Sequence, residues 1–218
     1  MLFYLAEGER MATVVSVEIR RGIAQVLTDA GEKLQIRQKH FFLRPLQPGD
    51  CLETESYLDS IAALQSKEAY EAALCALDIS ARTRNELAKI LSRKGYVLPA
   101  VEAVLARLTE IGLIDDRRYA QRQVELAIDR PVGAYSLKRK LRGKGISEED
   151  LSMALDPLDE QQQLSAAQRA VGALRRRYEK LPPREARQKL SQALARRGFG
   201  WDTIAQAVEG VFPEEDWE

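Results

Sequence analysis

The spacing of apolar residues changes period once along this chain. Near the start, Thr13, Val15 and Val17 alternate with Val14, Ser16 and Glu18, the period of two that sets successive side chains on opposite faces of a strand. Gly22 to Thr28 predicts a second strand, Asp29-Ala-Gly31 a turn, and Lys33 to Arg37 a third strand. Pro48-Gly-Asp50 reads as another turn and Cys51 to Glu55 as a short strand. The result is a small sheet ending near Tyr57, which needs a neighbour to cover its apolar face.

From Lys67 the apolar spacing becomes three and four, the period of a helix with one buried face. Tyr70, Leu74 and Leu77 mark a first helix. Thr83-Arg-Asn-Glu86 then matches a capping box and opens a second, running to Lys94. Leu98, Val101, Val104, Leu105 and Leu108 form a stripe that Gly112 ends. A second group starts at Asp115, with Tyr119, Val124 and Ile128 on a helix that stops before Pro131. Gly133 opens the next helix through Leu137 and Leu141, and Ser147-Glu-Glu-Asp150 leads into one lined by Leu151, Ala154 and Leu155. A third group carries Leu164, Ala167, Val171, Leu174 and Tyr178, then Pro182-Pro183, then Leu190 and Leu194, then Trp201, Ile204, Ala205 and Val208.

One phrase recurs in all three groups: Leu-x-x-x-Leu, a basic residue, glycine, then a bulky apolar residue. The copies end at Lys94-Gly95-Tyr96, Lys144-Gly145-Ile146 and Arg197-Gly198-Phe199, their glycines 50 and 53 residues apart. A cation in the last turn complements the helix dipole, and glycine supplies the left-handed cap. Repetition at such a period signals stacked supersecondary units. The predicted organisation is a β-rich domain over residues 1–60, three-helix repeats over 61–114, 115–157 and 158–212, and an acidic tail over 213–218.

The chain has 218 residues, 33 of them basic and 33 acidic, which argues against an indiscriminate basic nucleic-acid coat. Cys51 and Cys75 make neither a disulfide framework nor a metal cluster and read as reduced thiols of a cytoplasmic protein. No apolar run reaches the roughly 20 residues of a membrane span, and a secretion signal is not expected. His40 is the sole histidine, no phosphate-binding loop or Cys/His metal spacing exists, and Asp115-Asp116 reads as a helix N-terminus. No enzyme and no cofactor are expected.

The remaining chemistry is cationic. Lys138, Arg139, Lys140, Arg142 and Lys144 fall within seven residues holding no acid. Arg175-Arg176-Arg177 and Arg196-Arg197 form further clusters, and Arg82, Arg84, Arg93 and Lys94 surround the equivalent helix of the first repeat. Solvated cations at helix ends are ordinary and explain Lys94, Lys144 and Arg197. They explain the five-cation run less well, and it is the leading contact candidate, for anionic protein or phosphate. Tyr96, Tyr119, Tyr135, Phe199 and Trp201 fall where packing is expected, so base stacking gains little support.

These residues resemble the RecX family of recombination regulators. The resemblance rests on Arg82-Thr-Arg-Asn-Glu-Leu87, Lys94-Gly95, Gly112-Leu-Ile-Asp-Asp116 with Tyr119-Ala120, and Leu141 through Lys144-Gly145-Ile146 to Leu155. It spans Tyr70 to Val211. After Gly133 the chain carries Ala134-Tyr135, where many relatives favour proline and then a basic or polar residue. The resemblance implies a mainly α fold, three tandem three-helix repeats in an elongated curved array, with a small N-terminal β-rich domain. It implies binding in the groove of the RecA–DNA filament and inhibition of RecA's ATPase, strand exchange and coprotease activities, and so of recombination and the SOS response. Contact with single- or double-stranded DNA, directly or through RecA, is implied as well. The expected state is a cytoplasmic monomer with no membrane partner. Contact residues are expected among the cations named above, with Arg117 and Arg118. The rivals are a DNA-binding helical-repeat protein acting without RecA and a helical adaptor for another protein.

Overall fold

In the computed structural model, which describes residues 11–211, strands β1 (Met11–Arg20), β2 (Ile23–Thr28), β3 (Lys33–Arg37) and β4 (Cys51–Glu53) form one antiparallel sheet in the order β3-β2-β1-β4. The predicted strands are present, but their alternation is broken. Val14 pairs with Thr28 and Ser16 with Leu27, which leaves Val15 as the extra residue of a bulge. Ala12 and Val14 face the core before the bulge and Val17 after it, while Val15 is exposed. A short helix that the sequence pattern did not announce, α1 (Gln38–Phe41), buries His40 and Phe41.

Helix α2 (Thr54–Ile79) corrects the expected end of the sheet near Tyr57. It begins directly after β4, capped by the Glu53 carboxylate on the amides of Glu55 and Ser56. The expected boundary at 60/61 falls inside it. Its first turns pack Tyr57, Leu58, Ile61 and Ala62 under the sheet, with Val97 and Ala100 from the helix after Gly95. Burial pushes the Tyr57 phenol up to about 12, and its hydroxyl donates to the Arg44 carbonyl at 2.8 Å. Its later turns bury Ala69, Ala73 and Ala76, whereas Tyr70, Leu74 and Leu77 lie half-buried beside them. The sheet and the first three long helices therefore make one compact unit, up to Ile114.

That unit continues with α3 (Arg84–Arg93) and α4 (Leu98–Glu110). Thr83 closes the predicted capping box: its hydroxyl accepts from the Glu86 amide and the Glu86 carboxylate accepts from the Thr83 amide, both at 3.2 Å. Leu87, Leu91, Val101, Val104, Leu105 and Leu108 pack against α2. Leu98 does not join them; at the first turn of α4 it is exposed, and Ala100 takes the inward position.

The second unit, from Asp115, holds α5 (Asp116–Ile128), α6 (Ala134–Gly143), α7 (Glu148–Leu155), α8 (Glu160–Tyr178), α9 (Pro183–Arg196) and α10 (Trp201–Glu209). Two cores form. One gathers Ala120, Val124, Leu137, Leu141, Ile146, Leu151 and Ala154 from α5 to α7 and the turns between them. The other gathers Ala167, Val171, Leu174, Leu190, Leu194, Phe199, Ile204, Ala207 and Val208 from α8 to α10. On α10, Ala207 is buried where Ala205 was expected, and Trp201 is exposed. The acidic tail over 213–218 lies outside the described residues.

The repeated phrase folds the same way each time. Gly95, Gly145 and Gly198 have φ of 81°, 85° and 84°. In each copy the glycine amide donates to the carbonyl three residues back, and the following amide donates to the second leucine: Tyr96 to Leu91, Ile146 to Leu141, Phe199 to Leu194, all at 3.3 Å. This is a Schellman cap, and the buried apolar residue after glycine packs over the leucine it bonds.

Candidate interaction surface

The five-cation run lies on and just beyond α6, and the structure partners four of its members. Arg142 forms a two-pronged bridge to Glu148 at 2.6 and 2.8 Å, and Lys138 stands 3.7 Å from the same carboxylate. The bond from Arg142 holds the Glu148 carboxyl below the usual carboxylate range, and Glu148 in turn raises the Arg142 guanidinium. Lys140 donates to the side-chain oxygen of Gln123 at 3.2 Å, and the Lys144 ammonium lies 5.3 Å from the centre of the Tyr119 ring. The acid-free run is therefore not acid-free in space. The Gly145 turn brings the first turn of α7 back against α6. Arg139 alone in the run is exposed with neither an ion pair nor a side-chain hydrogen bond among the described residues.

The other predicted contact residues divide similarly. Arg84 pairs with Glu102, and Arg117 lies 3.6 Å from Asp150 while also touching the Met153 sulfur. The Arg93 and Arg197 side chains fold back onto the carbonyls of Lys89 and Ala193, and Arg177 lies over the Tyr178 ring. Arg82 is half-buried with its Nε atom lacking a hydrogen-bond partner. Lys94, Arg118, Arg175, Arg176 and Arg196 are exposed and make no ion pair among the described residues. With Arg139 they are the cations left to meet an anionic partner.

Aromatic placement differs from expectation at two positions. Tyr96 and Phe199 are buried and Tyr119 half-buried, but Tyr135 is 69% exposed and Trp201 72% exposed. Both stand in the first turn of their helices, α6 and α10, where no neighbouring turn covers them.

The structure also shows a cluster that the sequence pattern missed. Glu68 of α2 receives Arg37 at 3.2 Å, His40 Nε2 at 3.3 Å and the Lys39 ammonium. Burial raises the Glu68 carboxyl, but the Lys39 bond and the surrounding cations outweigh it and hold the group below its ordinary value. Burial lowers His40, against the opposing pull of Glu68. His40 Nε2 faces the Glu68 carboxylate, and Nδ1 is buried without a hydrogen-bond partner. Close by, Gln65, fully buried, donates to the Gly95 carbonyl at 3.0 Å and accepts from the Val97 amide at 2.8 Å. Lone residues such as Gln65, His40 and Glu68 carry no periodic signal. These groups fasten the sheet to the first repeat.

Fold and surface together define a helical-repeat protein that leaves several cations exposed without an ion pair among the described residues. Among the described residues no group of three or more metal-ligating side chains occurs, and no helix is long and apolar enough to cross a membrane. Family models for the first three-helix domain of RecX match residues 69–108, and for the third three-helix domain residues 160–208. A regulatory protein RecX of Chlorobaculum tepidum is 32% identical over 153 residues, covering 69% of this chain and 92% of the relative. One of Limosilactobacillus reuteri is 28% identical over 211 residues, covering 95% and 80%. A crystal structure of regulatory protein RecX superposes with a TM-score of 0.63 at 27% identity over 90% of this chain and 98% of that one. RecX from Lactobacillus salivarius gives the same TM-score at 25% identity, over 68% and 97%. The chain belongs to the RecX family, whose relatives are named as regulatory proteins.

Proposed function

We propose that this protein is a non-catalytic negative regulator of RecA recombinase. It docks in the groove of the RecA–DNA filament, lowers ATPase, strand-exchange and coprotease activity, and so restrains recombination and the SOS response. It acts in the cytoplasm as a monomer. The observation that carries the reading is the thrice-built Schellman-capped helix, with cations left exposed in each copy, in a chain of this family. The proposed domains are the sheet with the first repeat, up to Ile114, followed by repeats over 115–157 and 158–212. Exact charge balance over the chain favours a partner found by surface match as well as by charge.

Arg139 and Lys140 test the contact surface, because neither is held by Glu148. RecA's DNA-dependent ATPase is titrated with the parent and with Arg139→Glu/Lys140→Glu. The parent lowers the rate and the folded double variant inhibits at least about tenfold less well, as expected when a desolvated charge contact is reversed. Equal inhibition by a variant with unchanged helical circular dichroism removes α6 from the contact.

A further inference from the structure

Two exposed aromatic rings sit at one joint of the second unit. The Gly133 amide donates to the Arg197 carbonyl at 3.0 Å, and the Tyr135 amide to the Gly198 carbonyl at 3.1 Å. These bonds tie the start of α6 to the turn before α10. Gly200 lies in that turn, and a Cβ on it would come 3.5 Å from the Tyr135 ring. Trp201 is the next residue. Gly200, having no side chain, lets the tyrosine ring lie against the turn that leads into Trp201. Neither ring forms a ring–ring contact among the described residues, and both are largely exposed.

The surroundings of the rings are polar. Ser136, Asp202, Thr203 and Gln206 flank them, rather than the contiguous apolar surface that marks a protein-binding patch. Arg139 follows Tyr135 by one helical turn on the same face, exposed and without an ion pair among the described residues. Arg196 is exposed one residue before the Arg197 carbonyl of the joint. Asp202, next to Trp201 in the chain, stands against these cations. Open π-faces with cations one helical turn away match the chemistry of an unpaired strand, whose bases stack and whose phosphates carry the charge. A duplex offers its phosphates but keeps its bases stacked on one another.

We propose that Tyr135 and Trp201 form a stacking platform for unpaired nucleobases, with Arg139 and Arg196 meeting the adjoining phosphates, so that the second unit binds single-stranded DNA directly. This deepens the RecA–DNA reading by naming a DNA-contacting surface, and its test contains no RecA, so the two readings fail separately.

The experiment titrates the full chain, carrying Trp217→Phe, with an oligothymidylate of about 20 nucleotides at fixed salt. Emission then reports Trp201 alone, and anisotropy of the labelled oligomer gives affinity for each variant. The oligomer quenches Trp201. Tyr135→Ala and Trp201→Ala each weaken binding by about 5- to 150-fold, the range for loss of one stacking partner. Tyr135→Phe and Trp201→Phe retain most of it. An oligomer of abasic sites, with the same phosphates, binds as weakly to the parent as oligothymidylate does to the double alanine variant. Because cation contacts persist, the salt dependence of the alanine variants stays parallel to the parent's. Unquenched emission, or alanine variants that bind oligothymidylate like the parent, overturns the proposal.

Discussion

Replacing Gly198 by alanine should be far more damaging than replacing Gly112, although both glycines have left-handed φ, 84° and 74°. At Gly112 an added Cβ meets nothing within 4 Å. Only conformational strain applies, about 1–2 kcal/mol for an L-residue in this region, offset by about 0.4–1 kcal/mol from the stiffer unfolded chain. Gly112→Ala should cost about 1 kcal/mol. At Gly198 the new carbon would sit 2.8 Å from Ser136 Cα and closer still to the Ser136 amide nitrogen. The α6 start must move away, adding about 1–3 kcal/mol of overpacking. It also lengthens the Gly133–Arg197 and Tyr135–Gly198 hydrogen bonds, each worth about 0.5–1.5 kcal/mol. Gly198→Ala should therefore cost about 3–6 kcal/mol. Gly133→Ala isolates the steric part: φ there is −82°, and the added Cβ collides with the Gly198 carbonyl. Urea unfolding followed by circular dichroism, with hydrogen exchange at the Gly133 and Tyr135 amides, measures all three. Costs in the order Gly112, Gly133, Gly198, with lost protection in the last two, are expected. A Gly198→Ala cost no larger than Gly112→Ala would refute a backbone-to-backbone joint.

The His40–Glu68 cluster and Gln65 give two further expectations. Because burial places the folded His40 below its unfolded value near 6.5, the unfolded chain binds the extra proton first. Stability of the first unit is thus fully present above about pH 6.5 and declines as pH falls through that value toward the lower folded one. Since His40 is the sole histidine, thermal unfolding between pH 7.5 and 5.5 should show this slope in the parent and lose it in His40→Gln; equal slopes would refute the assignment. Gln65→Leu leaves the Val97 amide without its side-chain acceptor and takes one donor from the Gly95 carbonyl, which still accepts from the Arg37 amide. About 1–3 kcal/mol should be lost in urea unfolding, with increased exchange at Val97 as the local signature.

The helices and their caps were legible because each rule acts within a few residues. Leucines four apart, a terminal cation and glycine announced the three repeated Schellman caps, and Thr83 with Glu86 announced the capping box. The first half of α2 was hidden because its inward positions, Leu58, Ile61, Ala62 and Gln65, mix a polar amide and a small residue that break up an apolar stripe. The bulge at Val15 left no mark beyond an alternation that the strand does not keep. At the surface, Glu148 lies six residues from Arg142 in sequence but bonds it through the Gly145 turn, so counting acids inside the run misjudged its charge. Tyr135 and Trp201 fall in the sequence where packing is expected, but a first-turn position has no preceding turn to bury it.

The proposed target is the filament rather than DNA alone. The most direct test compares affinity for single-stranded DNA coated with RecA, held by a slowly hydrolysed nucleotide, with affinity for the same bare strand at the same salt. Markedly tighter binding to the coated strand is expected, weakened by Arg139→Glu/Lys140→Glu. Binding to the bare strand that equals or exceeds binding to the filament would contradict it.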